Sequence, residues 1–213
     1  MIDILIPVLR RPLNARRVAT SITVTTRNPY TLYFICSPGD HAQIEACRNV
    51  SLARTLVVKW KPGAGDYARK INWGCAQSEA PWVFQGADDI IFSTGWDEEA
   101  LKVARVTGAR VIGTNDLHNP KVLRGAHSTH TLIARSYVEE YEGYVLCEEY
   151  DHQYVDNELV ELAKRRGEWA FAKKAIVEHL HPHYGDAERD STYTKAFRKS
   201  NDDRKLYKKR MGS

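Results

Sequence analysis

Apolar residues in the first hundred positions fall into short dense blocks, separated by stretches in which apolar and polar residues mix at helical spacing. Ile2-Asp3-Ile4-Leu5-Ile6-Pro7-Val8 is a strand-length block interrupted only by Asp3, and it reads as a buried strand ending at a proline. Asn14 to Thr26 follows as a helix despite its β-branched residues. Tyr30 to Cys36 is a second strand, closed by the turn Ser37-Pro38-Gly39-Asp40 and followed by a helix to about Asn49. Leu52 to Trp60 is a third strand. After Lys61-Pro62-Gly63-Ala64-Gly65, Asp66 is placed to cap a helix reaching Ser78, and Pro81-Trp82-Val83-Phe84 opens a fourth strand that stops at Gly86-Ala87-Asp88-Asp89.

Strand and helix thus alternate, which predicts right-handed βαβ units: an α/β, Rossmann-like single domain with a mostly parallel central sheet flanked by helices. Beyond Gly95 the pattern predicts a helix over Trp96 to Gly108, strands over Arg110 to Thr114 and Thr129 to Ala134, a helix over Asp156 to Arg166, and a strand over Trp169 to His181. The division expected is a folded domain over residues 1–186 and a basic helix or tail over 187–213.

Composition narrows the function classes. The chain has 213 residues, 43% hydrophobic and 27% charged, which fits one globular domain and excludes a disordered chain. No run approaches the roughly 18 apolar residues of a membrane-spanning helix, and Met1-Ile2-Asp3 lacks the basic start of a secretory signal, so a cytoplasmic location is expected. The four cysteines show neither CxxC pairing nor a disulfide framework. The net charge of +4 is concentrated from Asp190 to Ser213, where eight Lys/Arg face three Asp/Glu. The remainder is close to neutral, which disfavours nucleic acid as a substrate.

In open parallel sheets, ligands bind beyond the carboxyl ends of the strands. The segments ending there are Pro7-Val8-Leu9-Arg10-Arg11-Pro12, Cys36 to Asp40, Trp60 to Gly63 and Gly86 to Asp89. Neither GxGxxG nor GxxxxGK[ST] occurs at the expected places, which disfavours nicotinamide and P-loop chemistry. Asp88-Asp89, set between the apolar runs Trp82 to Phe84 and Ile90 to Phe92, suits a hard cation that would neutralise a diphosphate; a turn bonding its own backbone is the other reading. His179, His181 and His183 share one face if extended, and one imidazole could join such a cation. Asp156 reads either as a helix N-cap or as a general base. Lys70 and Asn72 read either as reaching phosphate or sugar, or as a solvated helical face.

The order of Ile4-Leu5-Ile6-Pro7-Val8, Lys70-Ile71-Asn72-Trp73-Gly74, Gly86-Ala87-Asp88-Asp89-Ile90, Gly95-Trp96, Asp156-Asn157-Glu158-Leu159 and His179-Leu180-His181-Pro182 resembles a GT-A-fold glycosyltransferase of the family 2 type. The resemblance covers about residues 2–183 and is strongest to small soluble members, including those encoded by bacteriophages, for which the location would be the host cytoplasm. It implies a UDP- or GDP-linked sugar donor, an acceptor that is a protein or a glycan, Mn²⁺ or Mg²⁺, and inversion at the anomeric carbon. By the same resemblance Asp156 is the catalytic base, although Val155 stands where the family has a glutamate. Asp88 matches the last aspartate of the family's DXD motif, with Gly86 at the first; Asp89 is then its partner, and His179 or His181 completes the metal shell. Pro7, Val8, Arg10, Ser37, Asp40, Lys70, Asn72 and Asp88 are the expected donor-binding residues. The rival readings are a non-catalytic glycan- or protein-binding module, which Gly86 keeps open, and a sugar nucleotidyltransferase, which the lack of a glycine in Leu9-Arg10-Arg11-Pro12 disfavours.

Overall fold

In the computed structural model, residues 1–141, 143–180 and 200–212 are described. Eight strands form one sheet: β1 (Ile2–Pro7), β2 (Tyr30–Cys36), β3 (Ala53–Val57), β4 (Trp82–Gln85), β5 (Ile90–Phe92), β6 (Val111–Asn115), β7 (Thr131–Ala134) and β8 (Trp169–His179), in the order β3-β2-β1-β4-β7-β6-β8-β5. The helices are α1 (Pro12–Thr25), α2 (His41–Arg48), α3 (Asp66–Ala76), α4 (Trp96–Thr107), α5 (Pro120–Leu123), α6 (Arg135–Glu140), α7 (Val155–Arg165) and α8 (Ser200–Met211). The four strands β3-β2-β1-β4 are parallel, as the alternating pattern requires. The far half is mixed: β7 runs antiparallel to β4 and β6, β8 parallel to β6, and β5 antiparallel to β8.

β1 is buried along its whole length, and its alternate residues serve two cores. Ile2, Ile4 and Ile6 pack with Phe34, Phe84, Phe92 and Trp96 on the face covered by α1 and α4. Leu5 packs with Ile35, Ile71, Val83, Tyr150 and Leu159 on the face covered by α3 and α7. Asp3 survives burial because its carboxylate accepts the N–H groups of Glu79 (3.0 Å) and Ala80 (2.7 Å), fastening the turn before β4. Gly74 lets α3 lie directly on the sheet, because a Cβ there would collide with Ile35.

Several expectations are corrected. Asp66 is the first helical residue rather than the cap: Gly65, at φ 69°, makes the turn, and Asp66 accepts the Trp60 indole N–H (2.9 Å). Asp156 likewise sits inside α7 behind Tyr154, which takes the left-handed conformation (φ 69°). Ile90–Phe92 forms a strand, and 120–123 and 135–140 form short helices that the weak periodicity there did not reveal. Trp96 is a core anchor, fully buried between Phe84 and Phe92 with its N–H on Thr26 (3.0 Å). The described part of the basic C-terminal segment is α8, docked against α7 rather than exposed all round.

Candidate active site

The register of one strand pair builds the centre of the site. β5 leaves the Asp88-Asp89 turn and pairs with β8 so that Ile90 lies opposite His179, while Leu180 N–H donates to the Asp89 carbonyl (2.8 Å). This pairing brings a histidine 90 residues distant against the acidic turn: His179 Nε2 lies 3.5 Å from Asp89 Oδ1. From the other side Arg11 reaches in, its Nη1 lying 3.2 Å from Asp88 Oδ1 and 3.2 Å from Asp89 Oδ2. Arg17 Nη2 donates to the Asp88 carbonyl (3.4 Å). Asp88 Oδ2 is buried and has no hydrogen-bond partner among the described residues.

Two buried carboxyls side by side resist double ionisation. Burial first, and then the charge of Asp89, push the Asp88 carboxyl up to about 7 against the pull of Arg11. At His179, burial disfavours the charged ring, but the bond to Asp89 and the charges of Asp89, Asp116 and Asp156 outweigh it and hold the imidazole above its ordinary value. His130 packs edge-on to His179, with ring centres 5.1 Å apart, and neither of its ring nitrogens has a partner among the described residues. Burial, and next the neighbouring His179, push it down to about 3, so it is neutral across the physiological range.

The second acidic group is Asp156, at the start of α7, where the helix dipole favours a carboxylate. Its Oδ2 is 3.1 Å from His127 Nε2, and its Oδ1 accepts the Asn157 N–H (2.9 Å). Burial raises this carboxyl, but the charge and hydrogen bond of His127, together with the Asn157 N–H, hold it below the usual carboxylate range. Asp156 and the acidic turn lie in the same neighbourhood, since the charges of both Asp156 and Asp89 reach Tyr67, His130 and His179. Tyr67 is fixed beside the turn, its hydroxyl donating to the Gly86 carbonyl (3.1 Å) and accepting from the Gln85 amide.

The remaining expected residues divide. Pro7, Val8 and Ser37 meet where β1 and β2 end, with Pro7 opposite Ile35 and the buried Ser37 hydroxyl without a partner among the described residues. Asp40 accepts the Arg10 N–H (2.7 Å), closing the rim there. Arg10 itself is exposed in the left-handed conformation (φ 55°); the arginine turned onto the acids is Arg11. Lys70 is no solvated face: it is buried, with its ammonium on the Val8 carbonyl (3.0 Å) and on Asp66 (3.0 Å). Asn72 is not available to a donor either. Its amide nitrogen donates to Leu146 O and Glu148 Oε1, and its oxygen accepts the N–H groups of Val145 and Leu146, so it clamps the 145–148 loop. His181 lies outside the described residues.

Arg11, His127, His130 and Tyr67 were not singled out from the sequence. The one available signal was His127-x-x-His130 directly before the apolar run of β7, the counterpart of the histidine that ends β8. Gly86 has a steric reason: a Cβ there would come within 2.7 Å of Ile6 Cδ1 and 3.1 Å of Phe84, so the core occupies the space an aspartate would need.

No family model and no curated protein sequence matches the chain. Solved structures match in fold. The mannosyltransferase PcManGT from Pyrobaculum calidifontis, in complex with GDP-Man and Mn²⁺, superposes with a TM-score of 0.70 at 13% identity over 84% of this chain and 57% of that one. S. aureus TarS 1–349 in complex with UDP gives 0.64 at 12% identity over 83% of this chain and 59% of that one. Glucosyl-3-phosphoglycerate synthase from Mycobacterium tuberculosis, with Mn²⁺, UDP-Glc and phosphoglyceric acid, gives 0.69 at 14% identity over 100% of this chain and 80% of that one. The chain therefore spans less than two thirds of the first two structures. At these identities the likeness establishes the architecture, the GT-A fold of glycosyltransferases.

Proposed function

We propose that this chain is an inverting glycosyltransferase that moves a sugar from a UDP- or GDP-linked donor to an acceptor hydroxyl. The observation that carries the reading is the convergence, in a GT-A fold, of Asp88, Asp89 and His179 with a separately held, ionised Asp156. The three structural relatives named above contain nucleotides or nucleotide sugars, two of them with Mn²⁺, which supports the donor class.

A divalent cation fits the acidic turn in its donor chemistry. Asp88 Oδ2 is buried without a partner among the described residues, and carboxylates with an imidazole suit Mn²⁺ or Mg²⁺. Among the described residues no three His, Cys, Asp or Glu side chains already form a closed cluster, so Asp88, Asp89 and His179 would share the ion with donor phosphates. When bound, the ion supplies positive charge to the departing nucleoside diphosphate. The ends of β1 and β2 hold the nucleoside, Arg11 adds a fixed positive charge beside the diphosphate, and Asp156 accepts the proton of the attacking acceptor hydroxyl. His127 keeps that carboxylate ionised. Among the described residues no helix is long and apolar enough to cross a membrane.

The experiment is incubation with a panel of nucleotide sugars, measuring nucleoside diphosphate release with and without Mn²⁺. Metal-stimulated release or transfer is the expected result. Tight glycan binding with no turnover of any donor would replace the enzyme by a binding module, the reading favoured by the closed space at Gly86.

A further inference from the structure

α8 grips the chain on both sides of Asp156. Before it, Asp203 is buried, and its carboxylate accepts three consecutive backbone N–H groups: Asp151 (2.7 Å), His152 (3.0 Å) and Gln153 (2.8 Å). Charge-assisted bonds of this kind are strong and directional. The next residue, Tyr154, holds the left-handed conformation, a strained one for a side chain of its size, and its ring lies against Tyr207 of α8 (centres 5.3 Å apart). Beyond Asp156, Glu158 is buried and takes a forked contact from Arg210 of α8, with Nε 2.9 Å from Oε2 and Nη2 2.9 Å from Oε1, as well as the hydroxyl of Tyr150. Arg165 closes the far end on the Met211 carbonyl (2.8 Å). The proposed reaction does not itself use this basic segment.

We infer that α8 is the positioning element of the base: Asp203, holding residues 151–153, and Arg210, holding Glu158, fix the turn that presents Asp156 to the acceptor and to His127. The inference rests on the reading of Asp156 as the base. Three N–H groups pointing at one carboxylate set the path of the backbone into Tyr154, and the first turn of α7 follows from it. A generic stabilising strap would need only apolar contact between α7 and α8. Here the buried carboxylate of Asp203 holds residues 151–153, before Asp156, and Arg210 holds Glu149 and Glu158, on either side of it.

The test uses the full chain with Asp203→Asn, Arg210→Met and, as a control on the exposed face of α8, Lys205→Ala. kcat and KM are measured per molecule that binds nucleoside diphosphate, and the His127 ring nitrogens are followed by ¹⁵N NMR. Displacing a catalytic group by about 1 Å costs on the order of 10²-fold in rate, so kcat should fall by about that factor in Asp203→Asn, with donor KM little changed. The His127 signals should move toward those of Asp156→Asn, and Lys205→Ala should behave as wild type. A strap without a positioning role would lower the melting temperature and leave kcat per competent molecule and the His127 signals unchanged, which overturns the inference. If the variants do not fold, amide exchange in the wild-type chain decides. Protection of residues 151–153 up to global unfolding supports the inference, and exchange at loop rates overturns it. Full transfer by Asp156→Asn would remove the base reading itself, whereas an inactive Asp156→Asn beside a fully active Asp203→Asn removes only the role of α8.

Discussion

Asp88 and Asp156 are both carboxylates, yet their surroundings drive them in opposite directions. Asp88 lies beside a second carboxyl in a buried turn, and despite Arg11 it is pushed up to about 7. Asp156 stands alone at a helix start with His127 against it, and is held below the usual range. In the proposed reaction the first would gain from a cation, and the second, already compensated, would take the proton. Separation of like groups by environment is how one fold comes to contain two chemical roles.

The comparison breaks most sharply at Asp156. Asp156→Asn is expected to lower kcat by about 10²–10⁴-fold while calorimetric binding of nucleoside diphosphate is retained; undiminished transfer would assign the proton to another group. Next in size is Arg11→Ala, which leaves the two carboxyls of the turn facing each other without their guanidinium. About 3 kcal/mol should be lost in urea unfolding at neutral pH, and a loss within error would mean that the acidic turn does not depend on Arg11.

His130, which feels both acidic groups, sharpens the comparison through pH. Its folded value of about 3 lies below the unfolded 6.5, so the unfolded chain binds the extra proton between them. The stability tied to the neutral ring is therefore fully present above pH 6.5 and is lost as pH falls toward 3, at up to about 1.4 kcal/mol per unit. Melting temperatures from pH 7 to pH 5 should fall in the wild type and fall less in His130→Gln; parallel curves would place the acid sensitivity elsewhere. The smallest effect is expected from His127→Gln. Removing the group that depresses Asp156 should reduce activity about tenfold and move the acidic limb of kcat/KM to higher pH; an unmoved limb would separate His127 from the base.

How far the chain could be read without coordinates differs between its halves. Through β4 the blocks of apolar residues are dense, the turns carry Gly, Pro and Asp, and each strand adds beside its predecessors in a parallel βαβ path, so local pattern and final structure agree. After residue 95 the strands are four or five residues long, or mixed in direction, and their partners are distant in sequence. Ile90–Phe92 has too few residues to show a period and becomes a strand only because β8 returns to pair with it. Asp88 and Asp89 stood out because they separate two apolar runs, His179 because it alternates with His181 and His183, and Asp156 because it stands at a helix start matching the family resemblance. Arg11 and His127 did not, because an arginine after a strand and a histidine in a loop are ordinary by themselves.

Composition and order along the chain settle the class of architecture, the parallel half of the sheet and the identity of the acidic turn, because these depend on neighbours a few residues apart. Contacts between distant segments settle the rest: which arginine meets the acids, that Lys70 and Asn72 hold the scaffold, that Gly86 has no room for an aspartate, and that α8 is fastened around Asp156. The physical reason is that hydrophobic periodicity reports only which way a side chain faces. The protonation state and reach of a buried polar group depend on the few atoms that fold against it from elsewhere.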